Sequence, residues 1–238
     1  LLGGRFARAE LTRLFSYRHA VTKADLEGAA RYLSVRPMKF MIAGASGLVG
    51  RALTPFLQTQ GHSVVRLVRR PVRSPDEISW NPAAGELAVE AMRGVDVVIN
   101  LSGAGIADGR WSAARKEAIL RSRVDGTRTL VRTMGALTRG RPFVFISGSA
   151  TGFYGSRGGE VLDESSSRGT GYLAGVCEAW EQEARKAESP DTRVVCLRTG
   201  LVLTPVGGAL AKMLPVFLAG AGGRLGSGNA WMSWISMD

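Results

Sequence analysis

Short apolar runs alternate with segments of helical periodicity from Lys39 onward. The apolar runs predict β-strands, and apolar residues recurring three and four positions apart predict helices between them. This alternation indicates an α/β fold built on a doubly wound parallel sheet, whose ligands bind beyond the carboxyl ends of the strands. The predicted strands are 39–43, 62–68, 78–80, 95–101, 143–147 and 194–197, and the predicted helices are 51–60, 113–122, 125–137 and 173–187.

The first predicted strand leads directly into a glycine-rich loop, Phe40–Gly50, with three glycines spaced three apart. Gly44 permits a tight turn, Gly47 lets the backbone approach a ligand, and Gly50 allows the following helix to pack closely on the strand. Free N–H groups at the start of that helix attract negative charge. An ordinary glycine-rich turn is the alternative, but the flanking strand and helix favour a site for a dinucleotide pyrophosphate, as in an NAD(P)-binding Rossmann fold.

The end of the second predicted strand indicates which dinucleotide is preferred. NAD-binding folds usually carry an acidic residue there for the ribose hydroxyls, but this chain has Arg69 and Arg70, with no acid before Asp76. A guanidinium can pair with the 2′-phosphate of NADP. We therefore predict NADP, with NADPH preferred over NADH; solvated loop charges are the alternative interpretation of the two arginines.

Residues 1–36 do not follow the alternating pattern. They form polar helical stretches with a possible helix cap at Thr22 and Asp25. Pro37 ends the helical pattern just before the first strand. We interpret 1–36 as the tail of an upstream domain plus linker, and 37–238 as the dinucleotide-binding domain.

Composition narrows the function classes further. The net charge of +11 and the pI near 10.6 would suit nucleic-acid binding, but the positive residues are spread out, are mostly arginine and lack interleaved aromatic residues. We therefore predict no nucleic-acid partner. No apolar run is long enough for a membrane helix. The two cysteines, Cys177 and Cys196, are too few for a disulfide framework, and no Cys/His cluster has metal-ligand spacing. These features predict a cytoplasmic protein without a metal.

Several motifs together resemble one family, the extended short-chain dehydrogenases/reductases. Within it they are similar to the epimerase-like group, which includes proteins named sugar-nucleotide epimerases or cell-division inhibitors. Residues 1–36 resemble the end of a START-like (polyketide-cyclase-like) domain. Extended members continue past Trp234, so the resemblance implies a truncated C-terminal substrate lobe. The matching segments are 44–50, 100–106, 110–111, 122–123, 146–155, 180–181, 197–203 and 222–228.

The resemblance also implies roles for individual residues. Ser149 matches the catalytic serine that bonds the reacting oxygen, and Tyr172 stands at the position of the catalytic tyrosine. The implied cofactor-binding residues are Gly44, Ser46, Gly47, Leu48 and Val49 at the pyrophosphate, Arg69 at the 2′-phosphate, Leu101 and Ser102 at the adenine ribose, and Glu117, Arg123 and Val202 near the cofactor.

The catalytic pair departs from the superfamily pattern Tyr-x-x-x-Lys. One helical turn after Tyr172 stands Val176, so no ammonium lowers the pKa of the phenol for acid–base work. The epimerase-like group is similar in lacking this lysine. Tyr172 is then either a catalytic acid or a residue of the apolar helix face. Tyr154 is a second candidate near the same site, with packing under its loop as the alternative.

These observations predict an NADP(H)-dependent oxidoreductase or epimerase of the extended short-chain type. Its substrate would be a small carbonyl or hydroxyl compound, with nucleotide sugars among the candidates. The missing lysine leaves open a non-catalytic NADP(H)-binding sensor or scaffold. A homodimer is a further expectation.

Overall fold

The computed structural model describes residues 2–31, 36–137, 143–224 and 226–237. The chain divides into two compact units, one ending at Pro37 and one formed by residues 38–237. The described part of the first unit consists mainly of helix α1 (Leu2–Ala30). This helix runs through Thr22 without a break, so the predicted cap there is wrong. Residues 1 and 32–35 of the predicted upstream segment lie outside the described residues.

The second unit is built on a six-stranded sheet in the order β3-β2-β1-β4-β5-β6, in which every neighbouring pair is parallel. The strand order reverses between β1 and β4, and this switch point opens a crevice at the carboxyl ends of the strands. The predicted doubly wound sheet is confirmed. The strands are β1 (Lys39–Ala43), β2 (Ser63–Val68), β3 (Glu77–Ser79), β4 (Val97–Asn100), β5 (Phe143–Ala150) and β6 (Thr192–Thr199).

Helices and a small second sheet complete this unit. A predicted break after Ser122 is wrong: α3 continues through it, because residues 122–125 contain neither glycine nor proline. The short strands β7 and β8 pair in parallel, and they and α5 were not predicted. The elements are α2 (Leu48–Thr59), α3 (Ala113–Gly135), α4 (Tyr172–Arg185), β7 (Leu201–Leu203), α5 (Gly208–Leu218), β8 (Trp234–Ser236), and 3₁₀ turns at Val89–Met92 and Thr151–Tyr154.

Alternating residues of β1 enter two apolar clusters, one on each face of the sheet. Met41 packs with residues of α3 and α4, whereas Ile42 packs with Leu57 of α2. Helices therefore cover both faces, which leaves the carboxyl ends of the strands as the edge where a ligand can reach the backbone. Among the described residues, no helix has the length and apolar character to cross a membrane.

Candidate functional site

The glycine loop between β1 and α2 has the backbone geometry that its spacing predicts. Gly44 has φ +85°, and a Cβ there would lie 2.6 Å from the carbonyl carbon of Leu101. A Cβ at Gly50 would overlap the Gly44 carbonyl and lie 2.6 Å from the Cα of Ala45. Gly47 differs, because its φ is −73° and its Cβ would have one close neighbour, the Gly44 oxygen at 3.2 Å. Gly44 and Gly50 thus shape the loop, while Gly47 leaves its outer side clear.

Helix α2 begins at Leu48 without a side-chain cap. The first-turn N–H groups of a helix have no intrahelical acceptor, so those of Leu48 and Val49 are available to an anion. Ser46 is exposed beside them. On its other side, Leu48 reaches the start of α5, where a Cβ at Gly207 would lie 2.7 Å from Leu48 Cδ1. This contact brings the β7–α5 connection, which follows Val202, next to the loop.

The two arginines after β2 have different surroundings. Arg70 donates from Nη1 and Nη2 to both carboxylate oxygens of the buried Glu77, at 2.9 and 2.7 Å. Arg69 is exposed and has no hydrogen bond or ion pair with any described residue. It lines a cavity of about 540 Å³ together with residues 79–83 and 86–88. Of the pair, Arg69 is therefore the guanidinium that a ligand phosphate could engage.

The chain leaving β4 is held against the glycine loop. Leu101 donates its backbone N–H to the Ala43 carbonyl at 2.8 Å. The Ser102 hydroxyl donates to Asn100 Oδ1 at 2.6 Å, and the fully buried Asn100 amide donates to the Thr127 hydroxyl at 2.9 Å. Leu101 and Ser102 thus lie at the switch point beside Gly44.

Two other predicted residues, both on α3, lie in contrasting environments. Arg123 donates to the carbonyls of Ala104 and Ile119 at 3.1 and 3.0 Å, and its guanidinium lies 5.2 Å from the centre of the Trp180 ring. Burial lowers the pKa of Arg123. Glu117 is exposed and pairs with Arg121 at 2.6 Å. The structure brings Arg123 to the loop after β4, but Glu117 is engaged on the helix surface.

The two predicted catalytic hydroxyls have separate partners. Ser149 donates to Glu181 Oε1 at 2.6 Å, whereas Tyr172 donates to the Lys116 carbonyl at 2.5 Å. Burial raises the pKa of Tyr172. The face of α4 next to the end of β5 carries Leu173 and Cys177, since a Cβ at Gly152 would meet their side chains at 3.6 and 3.9 Å. No hydrogen bond between described residues joins Ser149 to Tyr172, so their pairing stays a prediction.

The sequence patterns assigned no role to Glu181 and Arg198, which form a bidentate ion pair in this region. Arg198 donates from Nε and Nη2 to the two Glu181 oxygens at 2.8 and 2.9 Å, and from Nη1 to the Tyr154 hydroxyl at 3.0 Å. Burial opposes ionisation of Glu181, but hydrogen bonds from Arg198 and Ser149 outweigh it and lower its pKa. The sequence did carry a signal for this pair: Glu181 is a charged residue on an otherwise apolar face of α4, and Arg198 is a charged residue in the apolar run of β6. The described residues contain no cluster suited to a metal ion.

Comparisons with a family model and with known proteins all indicate the same family. The model of the NAD dependent epimerase/dehydratase family matches residues 40–238. The Mycobacterium bovis epimerase family protein Mb2239 is 45% identical over 197 residues, covering 83% of this chain and 64% of the relative. Human epimerase family protein SDR39U1 is 32% identical over 205 residues, covering 83% and 66%. The chain thus spans less than two thirds of the length of these relatives.

Solved structures agree with the sequence comparison. A nucleoside-diphosphate sugar epimerase from Corynebacterium glutamicum superposes with a TM-score of 0.80 at 37% identity, over 94% of this chain and 47% of that one. Human SDR39U1, crystallised with NADPH, gives a TM-score of 0.74 at 30% identity, over 84% and 66%. The expected extended short-chain dehydrogenase/reductase fold is confirmed, while the START-like origin of residues 1–36 stays a prediction. The chain belongs to the NAD dependent epimerase/dehydratase family.

Proposed function

We propose that this protein is an NADP(H)-dependent oxidoreductase or epimerase of the extended short-chain type, acting on a small carbonyl or hydroxyl compound. The observation that carries the cofactor choice is the unpaired Arg69. It stands two residues after Leu67, whose register partner is Ala43 at the end of β1. A free guanidinium and an uncapped helix start therefore follow two neighbouring parallel strands, where a dinucleotide with an extra phosphate would need them.

The residues present fit this cofactor. The outer side of Gly47 is clear, and the α2 N–H groups can receive the pyrophosphate. Arg69 would hold the 2′-phosphate, and Leu101 and Ser102 would flank the adenine ribose. The NADPH in the human SDR39U1 structure supports the same assignment. When bound, the nicotinamide supplies hydride transfer; Ser149, at the carboxyl end of β5, would align the reacting oxygen of the substrate.

Calorimetry with NADPH and NADH tests the cofactor assignment. A hydrogen bond to a charged group is worth about 1.5–3 kcal/mol, so wild type should prefer NADPH on the order of tenfold to a hundredfold. Arg69→Ala should remove this preference. Arg73→Ala is the matched control, because Arg73 is another exposed arginine of the same loop and is not among the cavity-lining residues. Equal affinity of wild type for both cofactors would contradict the proposal.

A non-catalytic NADP(H)-binding sensor or scaffold is the second candidate. It is favoured by the engagement of both predicted catalytic hydroxyls with protein groups and by Val176 in place of the lysine. The two functions separate when the full chain is incubated with NADPH and a panel of carbonyl compounds that includes nucleotide keto-sugars, and with NADP and the matching alcohols. Net oxidation or reduction of the cofactor, or conversion of a sugar into its epimer without net change in the cofactor, supports the enzyme. Neither of these, together with NADPH-dependent binding to another protein, supports the sensor.

A further inference from the structure

A buried polar cluster lies where β5, β6 and α4 meet. It consists of Ser149, Tyr154, Glu181 and Arg198, and we call it the Glu181 cluster. Glu181 and Ser149 are only 4% and 7% exposed. Ser149 and Arg198 are direct register partners on β5 and β6, and Glu181 reaches them from α4. Because it includes the predicted catalytic serine, the cluster bears directly on the chemistry of the site.

The pairing within the cluster fixes the charge of Glu181. Arg198 approaches its carboxylate in bidentate geometry, at 2.8 and 2.9 Å. The guanidinium is itself covered by the Phe153 ring, whose centre lies 3.5 Å from Cζ. A buried, two-point pair of this kind favours the ionised carboxylate, and the lowered pKa of Glu181 agrees. An ionised carboxylate can only accept hydrogen bonds.

That charge determines the direction of the Ser149 hydrogen bond. Ser149 Oγ lies 2.6 Å from Glu181 Oε1, so the serine must be the donor. A serine hydroxyl has one proton and two acceptor lone pairs. Because the hydroxyl proton of Ser149 is engaged in the hydrogen bond to Glu181, Ser149 can offer only lone pairs to another group. A carbonyl substrate would bring a second acceptor to this oxygen, whereas an alcohol would bring the donor that it lacks.

We infer that Glu181, held by Arg198, is a positioning residue that fixes Ser149 as a hydrogen-bond acceptor, so that the site prefers the hydroxyl form of its substrate over the carbonyl form. This inference rests on the proposed function. Of the two forms, the alcohol is then the one that the site binds more tightly. In an epimerase the alcohol is the form that enters and leaves, and in a simple oxidoreductase it is the substrate of the oxidising direction.

The hydrogen-bond direction can be tested without any ligand. Carbon-13 NMR of the glutamate carboxyl groups follows the titration of Glu181 in the full chain. If Ser149 donates to the carboxylate, Ser149→Ala should raise the pKa of Glu181 toward its ordinary value. Ser147→Ala is the matched control, because it makes the same change two residues earlier on β5, where the hydroxyl donates to the Gly148 carbonyl and not to Glu181. An unchanged Glu181 pKa in Ser149→Ala would overturn the inference.

Substrate preference is tested with cyclohexanol and cyclohexanone, which share a ring and differ at one oxygen. Each is titrated by NMR into the full chain bound to tetrahydro-NADP, a reduced analogue that cannot transfer hydride. Wild type and Ser147→Ala should bind the alcohol several-fold, up to about tenfold, more tightly. The double variant Glu181→Leu/Arg198→Met removes both charges without leaving either unpaired, and its preference should fall to within about twofold.

Equal or tighter binding of the ketone by wild type, binding of neither probe, or an unchanged preference in the double variant would overturn the selectivity. Thermal melting shows whether the double variant is folded; if it is not, Ser149→Ala must itself reduce the preference for the inference to stand. Failure of the proposed function would register separately, as the absence of NADPH binding in calorimetry. The Glu181 titration would then still report the direction of the hydrogen bond.

Discussion

The two halves of the crevice prepare for a ligand in opposite ways. At the loops after β1 and β2, the first N–H groups of α2 and the Arg69 guanidinium have no partner among the described residues, and the outer side of Gly47 is clear. At the end of β5, the hydroxyl of Ser149 and the charge of Glu181 are already satisfied by neighbours. We call the side of the crevice at the glycine loop the cofactor half and the side at the end of β5 the substrate half. The cofactor half thus offers vacant donors, meaning donors not yet hydrogen-bonded. The substrate half offers a preset network, meaning one whose hydrogen bonds are already formed within the protein.

This difference explains why cofactor binding can be inferred directly from the residues of the glycine loop, whereas the chemistry cannot be inferred directly from the residues near Ser149. Vacant backbone donors bind any pyrophosphate of suitable size, so their function depends on a few glycines. A preset network acts through the direction of each hydrogen bond, which depends on charges several elements away. Variants that disturb one half should therefore leave the other half unaffected.

The largest effect is expected at the cofactor half from Gly47→Val. A valine side chain would occupy the clear side of the loop where the pyrophosphate must approach, so NADPH binding should be lost in calorimetry, a fall of more than about 10³-fold in affinity. The fold should persist, because a Cβ at Gly47 has one tight contact, at 3.2 Å. A folded variant that still binds NADPH would show that the loop is purely structural.

Gly50→Val provides the matched comparison within the same loop. Here the Cβ would overlap the backbone of Gly44 and Ala45, so the loop and helix α2 could not pack as they do. We expect a folding defect, seen as a large loss of melting temperature. The pair of variants separates the glycine that the ligand needs from the glycine that the fold needs.

The next effect should come from the substrate half. Once a substrate has been found by screening the full-length protein, Ser149→Ala should lower turnover about 10²-fold, because the substrate hydroxyl loses the acceptor that aligns it, with NADPH affinity unchanged. Tyr172→Phe should cost less than about tenfold, because its hydroxyl donates to the Lys116 carbonyl and lacks the lysine that would tune it. Equal losses for the two variants would show that Tyr172 acts with Ser149 after all.

The smallest effect concerns a satisfied ion pair at the cofactor half. A hydrogen bond from Arg66 is the main reason that the pKa of Asp76 is lowered from 3.8 to about 2. Since the folded-state value is the lower one, the pair stabilises the protein above pH 3.8 and loses that contribution as the pH falls through about 2. The Asp76 side chain is 36% exposed, so Asp76→Asn should cost less than about 1 kcal/mol at neutral pH.

Melting temperatures of wild type and Asp76→Asn should converge as the pH is lowered across that range. NADPH affinity should be the same for both proteins, because Arg66 keeps its ion pair with Glu77 when Asp76 is replaced. A marked loss of NADPH affinity in Asp76→Asn would mean that paired groups, and not only vacant ones, support the cofactor half.

The sequence was sufficient for the sheet and the glycine loop, since each depends on local signals. Gly44 adopts a backbone conformation that other residues rarely adopt, and the apolar runs of β1, β2 and β4 are short and clearly bounded. By contrast, α5 has no buried residue and β8 is exposed throughout, so neither carries a clear pattern of burial.

The site was predictable only in part for a related reason. Arg69 and Arg70 are neighbours with identical chemistry, and what separates them is a contact of Arg70 with Glu77 on the next strand. Likewise, the hydrogen-bond acceptor of Ser149 is Glu181, which lies 32 residues later in the sequence. Contacts between elements distant in sequence leave no periodic trace along the chain, so composition and spacing could not have assigned these partners.

The buried Glu77 has one more consequence, for the edge of the sheet. It begins β3, the short outermost strand, and its carboxylate accepts hydrogen bonds from Arg70 and the Arg73 backbone N–H and forms an ion pair with Arg66. Open edges of sheets can recruit a strand from another molecule and so start aggregation. A strand docking on β3 would find only three residues to pair with, the first of them held in ion pairs with arginines of β2 and the segment that follows it. The shortness of β3 therefore makes this edge a poor template for a further strand.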